Sequence, residues 1–207
     1  MKKLIFYILL IFFTLHANAQ VKENLKIPKN PKIGLSLSGG GAKGFAHVGV
    51  LKVLDSLGVK VDYISGTSMG AIVGGLYASG YTGKDIEKII LDTDFYNLIS
   101  NQNNRAESSF FNKSVDKYLL KVPIKNGKAT LPTSISSGQK NLYLLKELFK
   151  NVSNINDFSK LPIPFMCVAT NLETGKIKIF ENGDLSESIL ASSAFPSLMD
   201  PVKIGDS

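Results

Sequence analysis

A single cysteine, Cys167, stands in 207 residues, so an internal disulfide and a cysteine-held metal cluster are both excluded. Tryptophan is absent, and the two histidines, His16 and His47, are too few for a multi-histidine metal site. No dense run of Lys and Arg interleaved with aromatics occurs, which argues against a nucleic-acid surface. Internal repeats and low-complexity tracts are also missing. What remains is ordinary globular usage, 44% hydrophobic, 20% charged and 9% aromatic. That rules out disordered, collagenous and coiled-coil chains and suits one domain with a single sizeable core.

The charge is +7, from 24 basic and 17 acidic residues. Lys2 and Lys3 belong to an N-terminal segment without acids, and setting them aside leaves 22 against 17. Such an excess fits either a solvated lysine surface or a mild attraction to anionic lipid headgroups. Residues 1–20 read MKKLIFYILLIFFTLHANAQ. A positive end, a short apolar core from Leu4 to Phe13 closed by Leu15, and Ala17-Asn18-Ala19 together predict a secretory signal peptide over 1–19. The apolar core is too short for a spanning helix, which needs about 17–25 residues. No cysteine follows it, so a lipoprotein anchor is not indicated. Residues 20–32 are polar, carry Pro28 and Pro31, and read as a linker before a domain over 33–207.

Within that domain, Ile33 to Leu37 reads as a strand and 43–57 as a helix, with Val50, Val53, Leu54 and Leu57 at helical spacing and Gly58 as its stop. Val61 to Ser65 is a second strand, Ala71 to Ala78 a helix apolar on every side, and 83–92 a helix capped by Thr82 with Asp85 in its first turn. Strand and helix in alternation predict a mostly parallel sheet in an α/β domain. Residues 95–115 form a long polar stretch flanked by Phe95, Tyr96, Phe110 and Phe111, either a surface lid or an insertion. Its aromatics would dip into a bilayer surface or pack into the core. Lys117 to Leu131 reads as an extended pair turning at Asn126-Gly127, and 139–150 as an amphipathic helix through Leu142, Leu145 and Leu148. Strands over Pro164 to Thr170 and Lys176 to Phe180 follow, then a helix over 184–194 that stops before Pro196.

The second strand runs into Gly66-Thr67-Ser68-Met69-Gly70, a G-x-S-x-G at a strand-to-helix junction. A serine on such a tight turn projects its hydroxyl clear of the sheet, and flanking glycines relieve strain and crowding. The first strand runs into Gly39-Gly40-Gly41-Ala42-Lys43-Gly44. A dinucleotide fingerprint matches this spacing, but the second strand ends in Ser65-Gly66, without the ribose-binding acid. A P-loop would need Gly-Lys-Ser/Thr. An oxyanion hole is the remaining functional reading, since bare glycine amides can face a tetrahedral intermediate's oxygen. His47 precedes the serine, the reverse of the α/β-hydrolase order, and reads as locally packed or hydrogen-bonded. With no histidine after Ser68, a carboxylate must serve as base.

GGGAKG followed by GTSMG resembles the patatin-like phospholipases, which use a Ser-Asp dyad. PIPFMCVATNLETGK and SILASSAFPSLMDPV, between Leu161 and Pro201, are similar to the family's later strands and the helix before its catalytic Asp. The resemblance covers 33–207. It implies a three-layer α/β/α domain, Ser68 as nucleophile on an elbow of Gly66 and Gly70, and an oxyanion hole from Gly39, Gly40, Gly41 and Gly44 with Met69. Lys43 stands where the family carries Arg or Lys. The family's base is the Asp of a D-G-G or D-G-A motif after the Pro-Val strand. Asp200 and Asp206 lack that setting, so neither is assigned, and the sequence reads as a fragment that stops ahead of its base. The implied activity is hydrolysis of phospholipid or related lipid esters at a membrane surface, without metal or organic cofactor. Signal-bearing bacterial relatives often continue into an outer-membrane barrel, so the full-length protein is expected in the periplasm, outer membrane or medium. The rival readings are a non-catalytic lipid-binding domain attached to such a barrel and a nucleotide-binding domain.

Overall fold

The computed structural model describes residues 30–95, 98, 124–125, 128–129 and 134–205. The chain divides into two units, Met1–Pro31 and Lys32–Ser207, and every element below belongs to the second. The export segment, Tyr96, Phe110, Phe111, the Asn126-Gly127 turn and Asp206 lie outside the described residues.

Along the chain, β1 (Gly34–Leu37) leads through a 3-10 turn (Gly41–Phe45) into α1 (Ala46–Ser56), β2 (Tyr63–Thr67), α2 (Met69–Ala78) and α3 (Gly83–Asp92). There follow β3 (Ile124–Lys125), β4 (Lys128–Ala129), β5 (Ser134–Ser136) and α4 (Gln139–Leu148). The last elements are β6 (Phe165–Thr170), β7 (Ile177–Phe180), α5 (Leu185–Ser193) and β8 (Ser197–Met199). The main sheet has the order β1-β2-β6-β7, with β1, β2 and β6 parallel and β7 antiparallel at its edge. The mostly parallel sheet expected from the strand–helix alternation is therefore present. Strands β3 and β4 pair antiparallel, as the hairpin reading required, and β5 pairs in parallel with β8.

Register explains the core. Leu35, Ile64 and Phe165 lie opposite one another, as do Leu37, Gly66, Cys167 and Phe180 on the same face. Helix α2 lies against that face: a side chain on Gly74 would meet Ile64, Leu37 and Phe165 at 3.0–3.5 Å. Glycine lets the helix approach the strands closely, and α2 is buried nearly all round, as its unbroken apolar sequence predicts. Ile189 of α5 and Phe149 after α4 pack against it at Gly75. Cys167 is fully buried in this layer, and burial pushes its thiol up to about 12.

Local signals set the helix ends. Thr82 and Asp85 form a reciprocal capping box on α3. Asp184 caps α5 by accepting from the Glu187 N–H at 3.0 Å. Gly58, at φ 63, ends α1 in a Schellman motif, with Gly58 N–H donating to Asp55 O and Val59 N–H to Leu54 O. Asp55 ties three elements together. Its carboxylate accepts from the Tyr77 hydroxyl at 2.6 Å and from the Gly83 N–H at 2.7 Å. Burial, reinforced by the Asp55 contact, raises the Tyr77 phenol to about 12.

Two expectations are corrected. The helix read over 43–57 is a 3-10 turn followed by α1, because the chain leaving Gly40 closes i→i+3, with Lys43 N–H donating to Gly40 O at 3.2 Å. The second strand begins at Tyr63 rather than Val61, which brings its end to the serine. Of the apolar residues at helical spacing, Val50, Val53 and Leu57 are exposed and Leu54 packs against the core, while Val48 and Leu51 are buried. Helix α1 packs chiefly on α3, where a side chain on Gly83 would strike the Leu51 and Lys52 backbone. That contact turns a different stripe inward.

Candidate active site

Ser68 sits between the end of β2 and the start of α2 with φ 53 and ψ −120. An L-residue rarely adopts that conformation, and it stores about 1–3 kcal/mol of strain. Its carbonyl accepts from the Ala71 and Ile72 N–H groups at 2.9 and 3.1 Å, so the helix begins immediately behind it. Neither flanking glycine has room for a side chain. A Cβ on Gly66 would lie 2.6 Å from Ala71 Cα, and one on Gly70 would overlap the Leu37 carbonyl.

The glycine-rich loop lies directly alongside. A Cβ on Gly39 would stand 3.1 Å from Ser68 Cβ, and one on Gly44 would strike the Met69 side chain. Gly41, at φ 55, borders the same cavity as Ser68 and Met69. Gly40, at φ 149, turns the chain into the 3-10 segment, and a Cβ there would face Lys43 rather than the serine. Lys43 itself is exposed. His47 Nε2 donates to the Ser38 carbonyl at 2.9 Å, which holds the start of the loop. Asp200 accepts from the Ser134 hydroxyl at 2.6 Å, and its N–H donates to Ser136 O at 3.0 Å, tying it to the β5–β8 pair. No cluster of three or more metal-ligating side chains occurs among the described residues.

One residue of the elbow was not singled out by the sequence. The Ser192 hydroxyl accepts from the Ser68 N–H at 2.8 Å and donates to the Val168 carbonyl at 2.6 Å. It bridges α5, the elbow and β6. The separation of 124 residues hides the pairing, and Ser-Ser before Ala-Phe-Pro is its faint trace. Ser192→Ala would leave the Ser68 N–H without its partner at a strained turn. The expected loss is about 1–3 kcal/mol of stability, read from urea unfolding. A change under about 0.3 kcal/mol would contradict the bridging role.

Ser68 opens onto a cavity of about 440 Å³ between α2, α3 and α4. Met69, Ile72, Val73 and Leu76 line it from α2, Ile89 and Ile90 from α3, and Leu144, Leu145 and Leu148 from α4. Phe45 and Phe95, both half-buried, meet along it with ring centroids 5.0 Å apart. No ionisable side chain lines this cavity among the described residues. Its size falls within the range of small-ligand sites, and its wall suits a hydrocarbon.

The sequence matches the patatin-like phospholipase family over residues 35–207, and the chain belongs to that family. It is 30% identical over 175 residues to an uncharacterized NTE family protein of Mycobacterium tuberculosis, covering 84% of this chain and 41% of that one. It is 32% identical over 182 residues to lysophospholipase NTE1 of Debaryomyces hansenii, covering 88% of this chain and 10% of that one. VipD from Legionella pneumophila shares the fold, with a TM-score of 0.50 and 18% identity over 82% of this chain and 43% of VipD. This chain thus spans about two fifths of the mycobacterial relative and a tenth of the Debaryomyces one. The α/β/α class expected of the family is the class found. No helix among the described residues is long and apolar enough to cross a membrane.

Proposed function

We propose that the protein is a serine acyl hydrolase cleaving phospholipid or related lipid esters, with Ser68 as its nucleophile. The observation that carries this reading is a strained serine elbow opening onto an apolar cavity without ionisable walls among the described residues. A lipid-binding module has no need of such strain.

In the proposed reaction Ser68 Oγ attacks the acyl carbonyl and passes its proton to a carboxylate base. The developing oxyanion is held by amides of the Gly39, Gly40, Gly41 and Gly44 loop and of Met69, at the positive end of α2. The alcohol leaves with the proton, and water then hydrolyses the acyl-serine ester. The base is the Asp of a D-G-G or D-G-A motif, which these 207 residues do not contain. Fatty-acid release from phospholipid vesicles by a longer chain carrying that motif, and its loss in Ser68→Ala, tests the reading.

Export belongs to the same proposal. Protein produced in a bacterial host is expected to begin at Gln20 in the exported fraction, as read by intact mass. Met1 retained in that fraction would contradict the signal peptide.

A further inference from the structure

The hydrogen bond from His47 Nε2 to the Ser38 carbonyl joins residues nine apart, and the whole glycine-rich segment from Gly39 to Gly44 lies between them. The bond is a clasp across the base of that loop. A carbonyl only accepts, so Nε2 carries the hydrogen and has no lone pair for a proton from Ser68.

The loop needs an external hold. Gly39, Gly40 and Gly41 have no side chains to pack, and glycine loses more backbone freedom on ordering than any other residue. Gly40 and Gly41 take φ of 149 and 55, and a Cβ on Gly41 would meet nothing within 4 Å. The clasp acts where the loop passes the nucleophile. The Ser38 oxygen lies 2.6 Å from the position of a Cβ on Gly70, so the carbonyl is lodged between the first turn of α2 and the His47 ring. Fixing that carbonyl fixes the planar peptide it shares with the Gly39 N–H. A Cβ on Gly39 would in turn stand 3.1 Å from Ser68 Cβ and 3.8 Å from Ser68 Oγ. At the other end of the loop, His47 Cδ2 is 3.8 Å from the Cβ position of Gly44, beside Met69.

Helix α1 does not depend on this bond for its own place. Val48 and Leu51 are buried, Lys52 pairs with Glu87 at 2.7 Å, and Asp55 accepts from Tyr77 and Gly83. The helix is a fixed post from whose first turn the imidazole reaches the loop.

We propose that His47 is a positioning residue of the reaction, holding the Gly39, Gly40 and Gly41 amides in place beside Ser68. The proposal rests on the reading that these amides receive an oxyanion formed at Ser68. A loop freed from its clasp still admits the ground-state ester, whose tail is held by the apolar cavity, so the loss falls on turnover rather than on binding.

Two measurements test it. In the longer chain carrying the D-G-G or D-G-A motif, His47→Phe keeps a ring and removes the donor. It is expected to lower kcat about 10–100-fold with KM within about twofold. His47→Gln places an amide N–H near the position of Nε2 and should restore kcat to within about threefold of the parent, whereas His47→Asn, whose amide reaches only as far as Nδ1, should not. In the 207-residue chain, NMR reads the loop without turnover. The Gly39, Gly40 and Gly41 amide signals should shift in His47→Phe and stay near the parent's in His47→Gln. Absent turnover in the longer parent, with the glycine amides still following His47, would sink the hydrolase reading and support the clasp. If His47→Phe fails to fold, the Gln and Asn variants decide by the same two readouts. Glycine amides indifferent to the loss of the donor, a loss confined to KM, or equal kcat in His47→Gln and His47→Asn would overturn the positioning role.

Discussion

Gly70→Ala is expected to remove the cooperative folding transition of the domain. The added Cβ would overlap the carbonyl oxygen of Leu37 and lie 2.5 Å from its carbon and 2.6 Å from the Ser38 oxygen. These are backbone atoms of β1 and its exit, so no rotamer change relieves the clash. Helix α2 cannot simply withdraw. Its start is held by the Ser68 turn, and one turn further on Gly74 rests on Ile64, Leu37 and Phe165. Ordinary overpacking costs about 1–3 kcal/mol, and a rigid backbone overlap in the central layer costs more, a large share of a total near 5–15 kcal/mol. Gly49→Ala is the control, because a Cβ there meets nothing within 4 Å and the position lies inside α1. It should stabilise by about 0.5–1 kcal/mol through helix propensity. Urea unfolding followed by circular dichroism separates the two. A Gly70→Ala protein within about 1 kcal/mol of the parent would show that α2 does not need this close approach.

Much of this arrangement was legible because the signals are local. Thr82 with Asp85, Gly58, and the glycines around Ser68 each act within a few residues of themselves, and the structure places helix ends and the elbow turn there. The sheet's parallel order follows from strand and helix in alternation. The inward stripe of α1 was not legible. The spacing of Val50, Val53, Leu54 and Leu57 marks a helix, yet the neighbour that decides which face is buried is α3, some thirty residues away. Ser192 was missed for the same reason, since its hydroxyl matters only once α5 is laid beside the elbow. The wall of the Ser68 cavity is more distant still. Ile89 and Leu144 share a wall only because α3 and α4 flank α2, and no spacing in the sequence announces it.

The largest effect is expected from Ser68→Ala. A serine hydroxyl is a weak nucleophile near neutral pH and depends on an adjacent base. Where nucleophile and base act as a unit, losing either removes nearly the whole benefit, of the order of 10⁶ in turnover. Two consequences are expected. In a longer chain carrying the D-G-G or D-G-A motif, Ser68→Ala should silence ester hydrolysis while leaving unfolding nearly unchanged, because only one oxygen facing the cavity is removed. The 207-residue chain should already be silent, because neither Asp200 nor Asp206 has that setting, Asp200 is engaged with Ser134, and His47 Nε2 is engaged with the Ser38 carbonyl. The residual catalysis of an oxyanion hole without its base is far below the intact enzyme. The decisive measurement is fatty-acid release from phospholipid vesicles by both chains, each beside its Ser68→Ala variant. Robust release by the longer chain alone, abolished by Ser68→Ala, is the predicted result; Ser68-independent release by the longer chain, or strong Ser68-dependent release by the 207-residue chain, would contradict it.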